Sequence, residues 1–206
     1  MRLRLTAAFL LFACTGAGAF AQADSAAPSC ADLHLVPAPR ECTAVQAIPA
    51  SSLAVISPTG KIAEDEFARK DLEESLKSRE LLAPAKSAAT VWLLRAEAAR
   101  ARQLLAQHHL VFDPAMHDEG YILVPDGRAG LAVVAETSAG LFYGSQTVKQ
   151  LIRGSGKDAV LLVPTLRDWP AMPHRGLSDD WSRGPLPTMD FLKREIRTLA
   201  AYKINI

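Results

Sequence analysis

Residues 174–206 constrain this chain more than any other stretch. "HRGLSDD" is a short extended run, "WSRGPLP" a Gly/Pro loop, "TMDFLKREIRTLAAYK" a strong helix, and "INI" the start of another apolar strand. In the helix Met189, Leu192, Ile196 and Leu199 recur at helical spacing, while Lys193, Arg194, Glu195 and Arg197 lie mostly away from them. Strand, loop, helix and strand make one β/α unit, the building block of a parallel sheet or barrel. A β/α barrel takes about 250 residues, and one unit cannot close it. A strand starting at Ile204 would leave parallel edges unpaired. The expectation is a truncated protein, with a complete N-terminal domain followed by the first unit of a barrel.

The preceding chain has mixed strand and helix order. "LHLVPAP" (33–39) has alternating apolar residues and then prolines, which predicts an edge strand ending in a turn. "SLAVISP" (52–58) predicts a second short strand. Between Ala63 and Glu80 the pairs Asp65–Arg69, Glu66–Lys70 and Glu73–Lys77 each place an acid four residues before a base. That orientation supports a helix whose charges form a solvated face, with Ala68, Leu72 and Leu76 turned inward. "TVWLLRA" (90–96) is a buried-type strand and "AARARQLLAQ" (98–107) a helix. His108 and His109 end that helix with no third metal ligand at a usual spacing.

"EGYILVP" (119–125) and "GLAVVAE" (130–136), joined by "DGRA", form a hairpin. "TSAGLFYGSQTVKQLIR" (137–153) is an amphipathic helix that Thr137 or Ser138 caps. Its Gly140 and Gly144 cost about 1 kcal/mol each relative to alanine, a loss that close approach to a sheet would offset. Tyr143 reads as a core-edge aromatic. "GSGK" (154–157) follows a helix and lacks the phosphate-loop frame, so it is a turn. "AVLLVPTLRDWP" (159–170) supplies one or two strands. With 23 Lys+Arg against 22 Asp+Glu, the charge gives no nucleic-acid footprint.

Residues 1–21 have the order of a signal peptide, with basic Arg2 and Arg4, the apolar "LTAAFLLFA", and "AFA" before Gln22. The expected destination is the periplasm or the exterior, with no transmembrane segment after cleavage. Cys14 offers a lipoprotein-type alternative, which the bulky Phe12 disfavours. Cleavage leaves Cys30 and Cys42, a sensible disulfide pair in an oxidising compartment.

"EGYILVP", "GLAVVAETSAGLFYGSQTVKQLI", "RGLSDDWSR" and "YKIN" together resemble glycoside hydrolase family 20, the β-N-acetylhexosaminidases. Arg175, Gly176, Asp180, Arg183, Lys203 and Asn205 match that family's first two barrel strands. The resemblance implies an α+β N-terminal domain at 30–170, a sheet with helices packed on one face. At 171–206 it implies the start of a truncated (β/α)8 TIM barrel. It also implies substrate-assisted, retaining release of terminal N-acetylglucosamine or N-acetylgalactosamine from glycans, with no cofactor and no metal. The Asp-Glu pair that performs the chemistry is expected beyond Ile206, so this chain alone is expected to be inactive.

Arg175 takes the place of the family's sugar-binding arginine, and its planar fork suits two neighbouring hydroxyls. The structural alternative is an ion pair with Asp179 or Asp180. Asp180 and Arg183 are expected to brace the strand–loop junction, and Trp181 either stacks on a sugar or fills core. Gly184-Pro185 departs from the family pattern and puts the substrate preference in doubt. Family 84, with related acetamido chemistry and an Asp-Asp pair, is the enzyme alternative. A free-standing glycan-binding or interaction module is the non-enzyme one.

Overall fold

A computed structural model describes residues 28–58, 62–83 and 87–206; the leader expected at 1–21, Cys14 included, lies outside the described residues. In chain order the elements are β1 (Glu41–Pro49), β2 (Leu53–Ile56), α1 (Ala63–Ser78), β3 (Ala89–Arg95), α2 (Ala99–Gln107), β4 (Tyr121–Pro125) and β5 (Gly130–Ala135). Then follow α3 (Ser138–Leu151), β6 (Ile152–Arg153), β7 (Val160–Asp168) and α4 (Met189–Ala201). The strands form one sheet in the order β1-β7-β4-β5-β3-β2, with short β6 against β7. β2, β3 and β5 run parallel and the other pairings are antiparallel.

All six residues of β5 are buried, so this strand is covered on both faces. Its alternate side chains divide between two cores. Leu131, Val133 and Ala135 join Tyr121, Leu123, Val91 and Leu93 beneath α1 and α3. Ala132 and Val134 join Ile122, Val124 and Leu94 beneath α2, whose Ala101 and Leu104 close that side with Met116. Helices therefore pack on both faces of the sheet. This corrects the one-face expectation, because the even-numbered apolar residues of β3, β4 and β5 also need cover.

The edge strand also differs from expectation. Residues 33–39 are not a strand: Cys30–Leu33 is a 3-10 turn, and His34 turns back at φ 46. The Gln150 side chain donates to the Val36 carbonyl and accepts from its N–H, both at 2.9 Å. One edge is β1, a strand in which only Ile48 is buried and small residues blur the alternation. The Cys30 and Cys42 sulfurs are bonded, with Cα atoms 6.0 Å apart, which ties the turn to β1.

Helix α3 is capped by Thr137, whose hydroxyl accepts from the Gly140 N–H. It is buried on nearly every side, Ser145, Gln146 and Thr147 included, so it is less amphipathic than its sequence suggests. The two glycines permit this. A Cβ on Gly144 would stand 2.3 Å from Val133 Cγ1, and one on Gly140 2.4 Å from the Gly120 carbonyl. Helix α1 corrects another expectation. Asp65 is 1% exposed and pairs with Arg95, rather than joining a solvated charge row.

Helix α4 starts on the Thr188 hydroxyl and buries none of its residues; Met189 and Ile196 remain 63% and 66% exposed. The run at 174–180 is not a regular strand. Its one parallel contact is made where the Arg175 carbonyl accepts from Ile206 N–H (3.1 Å) and Leu177 N–H donates to the Ile206 carbonyl (3.0 Å).

Candidate functional site

The ends of β4 and β7 meet in register, Tyr121 opposite Asp168. The Tyr121 hydroxyl donates to Asp168 Oδ2 at 2.6 Å and lies 2.7 Å from the Thr147 hydroxyl. Lys203, which follows α4 at φ 61, sends its ammonium into this pair. Its Nζ donates to Tyr121 Oη and to Asp168 Oδ2, both at 2.7 Å. Asp168 and Lys203 are only 6% and 7% exposed. Burial lowers the Lys203 pKa, a loss that the Asp168 charge partly opposes. Burial, and then the Asp168 charge, hold the Tyr121 phenol well above its ordinary value. The C-terminal segment is thus fastened to the sheet by a buried ion pair.

Beside this lock stands Arg175. Its Nε donates to the Lys203 carbonyl and its Nη1 to the Met172 carbonyl, both at 2.8 Å. Its Nη2 donates to Glu119 Oε2 at 2.6 Å. Asn205 completes the cluster: its Nδ2 donates to Glu119 Oε1 (2.9 Å) and its Oδ1 accepts from the Arg175 backbone N–H (2.9 Å). The guanidinium carbon stands 5.6 Å from the Tyr143 ring centroid. Burial, and then the Glu119 charge, raise the Tyr143 pKa. Arg175, Glu119, Tyr143, Trp169, Arg40 and Lys203 contribute to the lining of a cavity of about 200 Å³. Nε, Nη1 and Nη2 thus each have an acceptor, and the guanidinium also acts as a hydrogen-bond donor towards the Tyr143 hydroxyl at the cavity wall.

The acidic partner of Arg175 is therefore Glu119, and not Asp179 or Asp180. Asp180, Trp181 and Arg183 stand apart on an exposed loop. Asp180 accepts from the Ser182 hydroxyl and N–H, which lowers its pKa. Its other oxygen meets Arg183 Nε at 3.4 Å, with both side chains mostly in solvent. Trp181 is 46% exposed and its indole N–H donates to Asp179 at 2.8 Å, so it fills no core. Sequence reasoning missed Glu119, Tyr121 and Asp168. Their roles come from contacts across tens of residues, and no local pattern marks them. Among the described residues no group of three or more His, Cys, Asp or Glu side chains is placed to hold a metal ion, and no helix is long and apolar enough to cross a membrane.

Residues 32–169 match the profile described as glycosyl hydrolase family 20, domain 2, well over half of the chain. The chain belongs to glycosyl hydrolase family 20. A β-hexosaminidase of Porphyromonas gingivalis is 35% identical over 97 residues, 44% of this chain and 12% of that protein. This family 20 chain therefore matches only a small part of that relative's length. The family 20 β-N-acetylhexosaminidase structure from Streptomyces coelicolor A3(2) aligns with a TM-score of 0.59 and 25% identity, covering 83% of this chain and 33% of that one. A family 84 structure, CpGH84B, aligns at 0.61 over 84% of this chain and 29% of that one, at 19% identity. The latter is a likeness of fold. The sequence match is to family 20, and the family 84 alternative is not favoured.

Proposed function

We propose that this chain is the N-terminal portion of an exported exo-β-N-acetylhexosaminidase that removes terminal N-acetylglucosamine or N-acetylgalactosamine from glycans. Residues 1–21 act as its signal peptide, 30–170 as its accessory domain, and 171–206 as the first β/α unit of its catalytic barrel. In this reading the substrate's acetamido oxygen bonds to the anomeric carbon as the glycosidic C–O bond breaks. A Glu outside this chain protonates the leaving oxygen, and an adjacent Asp orients the acetamido group. The 206 residues alone do not catalyse the reaction. The uncovered apolar stripe on α4 supports the barrel reading, since such a stripe normally lies against neighbouring units.

Arg175 is the sugar ligand of this scheme. The observation that carries the role is its fixed guanidinium at the wall of the cavity. Asp180, Trp181 and Arg183 serve the first loop and not the sugar contact. The test is Arg175→Lys in the complete natural protein, assayed on a 4-nitrophenyl N-acetyl-β-glucosaminide. Lysine keeps a charge beside Glu119 but loses the planar fork. A fall in kcat/KM of about 10–100-fold is expected, the worth of one or two hydrogen bonds to a charged group. Unchanged kcat/KM in a folded variant would remove Arg175 from the site.

A further inference from the structure

We infer that Glu119, a residue of the accessory domain, is a positioning residue for the sugar-binding guanidinium of Arg175, so that the accessory domain helps to build the substrate site. The inference rests on the reading of Arg175 given above. Its geometry does not. Glu119 lies immediately before the Gly120–Tyr121 start of β4, and its two oxygens hold two different segments. Oε2 takes Arg175 Nη2 at 2.6 Å and Oε1 takes Asn205 Nδ2 at 2.9 Å. The Arg175 and Glu119 side chains are 15% and 17% exposed, so the pair is largely removed from water.

Two backbone carbonyls fix Nε and Nη1, but Glu119 is the acidic partner of this guanidinium among the described residues. That matters because the Lys203 ammonium is close enough for the two cations to repel. Without the carboxylate, a largely buried guanidinium would sit among a cation, two carbonyls and the Tyr143 ring, and solvent would draw it away. With it, the fork plane is set by three bonds in three directions. The remaining N–H groups then have one fixed orientation. Positioned donors lose little freedom when a ligand arrives, which is the physical advantage of fixing them in advance. Asn205 belongs to the same device, since its Oδ1 accepts from the Arg175 backbone N–H.

The test uses the complete natural protein, with Glu119→Gln and Arg175→Lys measured side by side. Glutamine keeps the size and one acceptor but removes the charge. Substrates are the parent 4-nitrophenyl N-acetyl-β-glucosaminide and analogues lacking one ring hydroxyl at a time. Glu119→Gln is expected to lower kcat/KM on the parent about tenfold. On the analogue missing the hydroxyl that Arg175 holds, the loss should shrink to about twofold or less. A purely structural role would lower all substrates alike, so an equal loss across the series overturns the inference, as does no loss on the parent. If Arg175→Lys discriminates among the analogues while Glu119→Gln does not, only the positioning role fails. If Arg175→Lys itself loses equally on every substrate, the sugar-ligand reading fails and takes the inference with it. Melting temperatures close to wild type would show that each variant is folded.

Discussion

Replacing Lys203 with methionine should destabilise the folded chain by about 3–5 kcal/mol, the usual cost of leaving a buried charge without its partner. Asp168 would be that charge. It is 6% exposed and, among the described residues, would keep the Tyr121 hydroxyl and the Arg40 N–H, the latter at 3.3 Å. A lowered urea midpoint with unchanged slope would report the loss. Adding Asp168→Asn should recover more than half of it, because the buried charge is then gone. A single variant within about 1 kcal/mol of wild type would show that Lys203 is not holding the segment down.

Tyr121 gives this lock a pH signature. The native phenol keeps its proton above pH 10, whereas the unfolded chain releases it near 10, so its contribution is whole below that pH and falls as pH rises through the raised native value. Lys203 acts in the opposite sense. The unfolded chain holds that proton up to 10.5 while the native chain gives it up earlier, so this group favours folding increasingly as pH climbs towards 10.5. Comparison with Tyr121→Phe separates the two. The stability gap between wild type and this variant should narrow between about pH 9 and about pH 11, since phenylalanine has no proton to lose.

An equally large effect is expected at Arg95. Its guanidinium reaches Asp65 Oδ2 (2.8 Å), the Glu136 carbonyl (2.7 Å) and the Ser138 hydroxyl (2.7 Å), joining the end of β3 to α1 and to the start of α3. Asp65 is almost wholly buried, and its Oδ1 has no hydrogen-bond partner among the described residues. Arg95→Met would leave that carboxylate uncompensated, at a cost of about 3–5 kcal/mol. In a chain of this size that is a fall in Tm of roughly 6–20 °C. Asp65→Asn in the same background should restore part of it. A fall below about 2 °C would mean that the pair is not what joins these elements.

The strands were legible where local pattern and tertiary need agree. β4 and β5 are unbroken apolar runs joined by a turn, and they form the centre of the sheet. Gly140 and Gly144 made sense only as contact points, and they are. Other readings failed where a distant partner outcompeted a local rule. Asp65 and Arg69 satisfied the helix-spacing rule, yet Asp65 turns inward to a residue 30 positions away. The prolines at 37 and 39 suggested a strand end, but β1 begins after them, and its small residues and exposed position gave no clear alternation. The same division holds at the site. A motif marked Arg175, while Glu119, 56 positions earlier, could be found only once the chain was folded.

In the proposed hexosaminidase the substrate supplies its own nucleophile, so the C2 acetamido group decides whether cleavage occurs. The most direct measurement compares two 4-nitrophenyl β-glycosides with the complete natural protein, the N-acetylglucosaminide and the plain glucoside. They differ only at C2, an acetamido group against a hydroxyl. Rapid release of 4-nitrophenol is expected from the first and none above background from the second. Comparable cleavage of both, or no cleavage of either by the folded protein, would contradict the proposed mechanism.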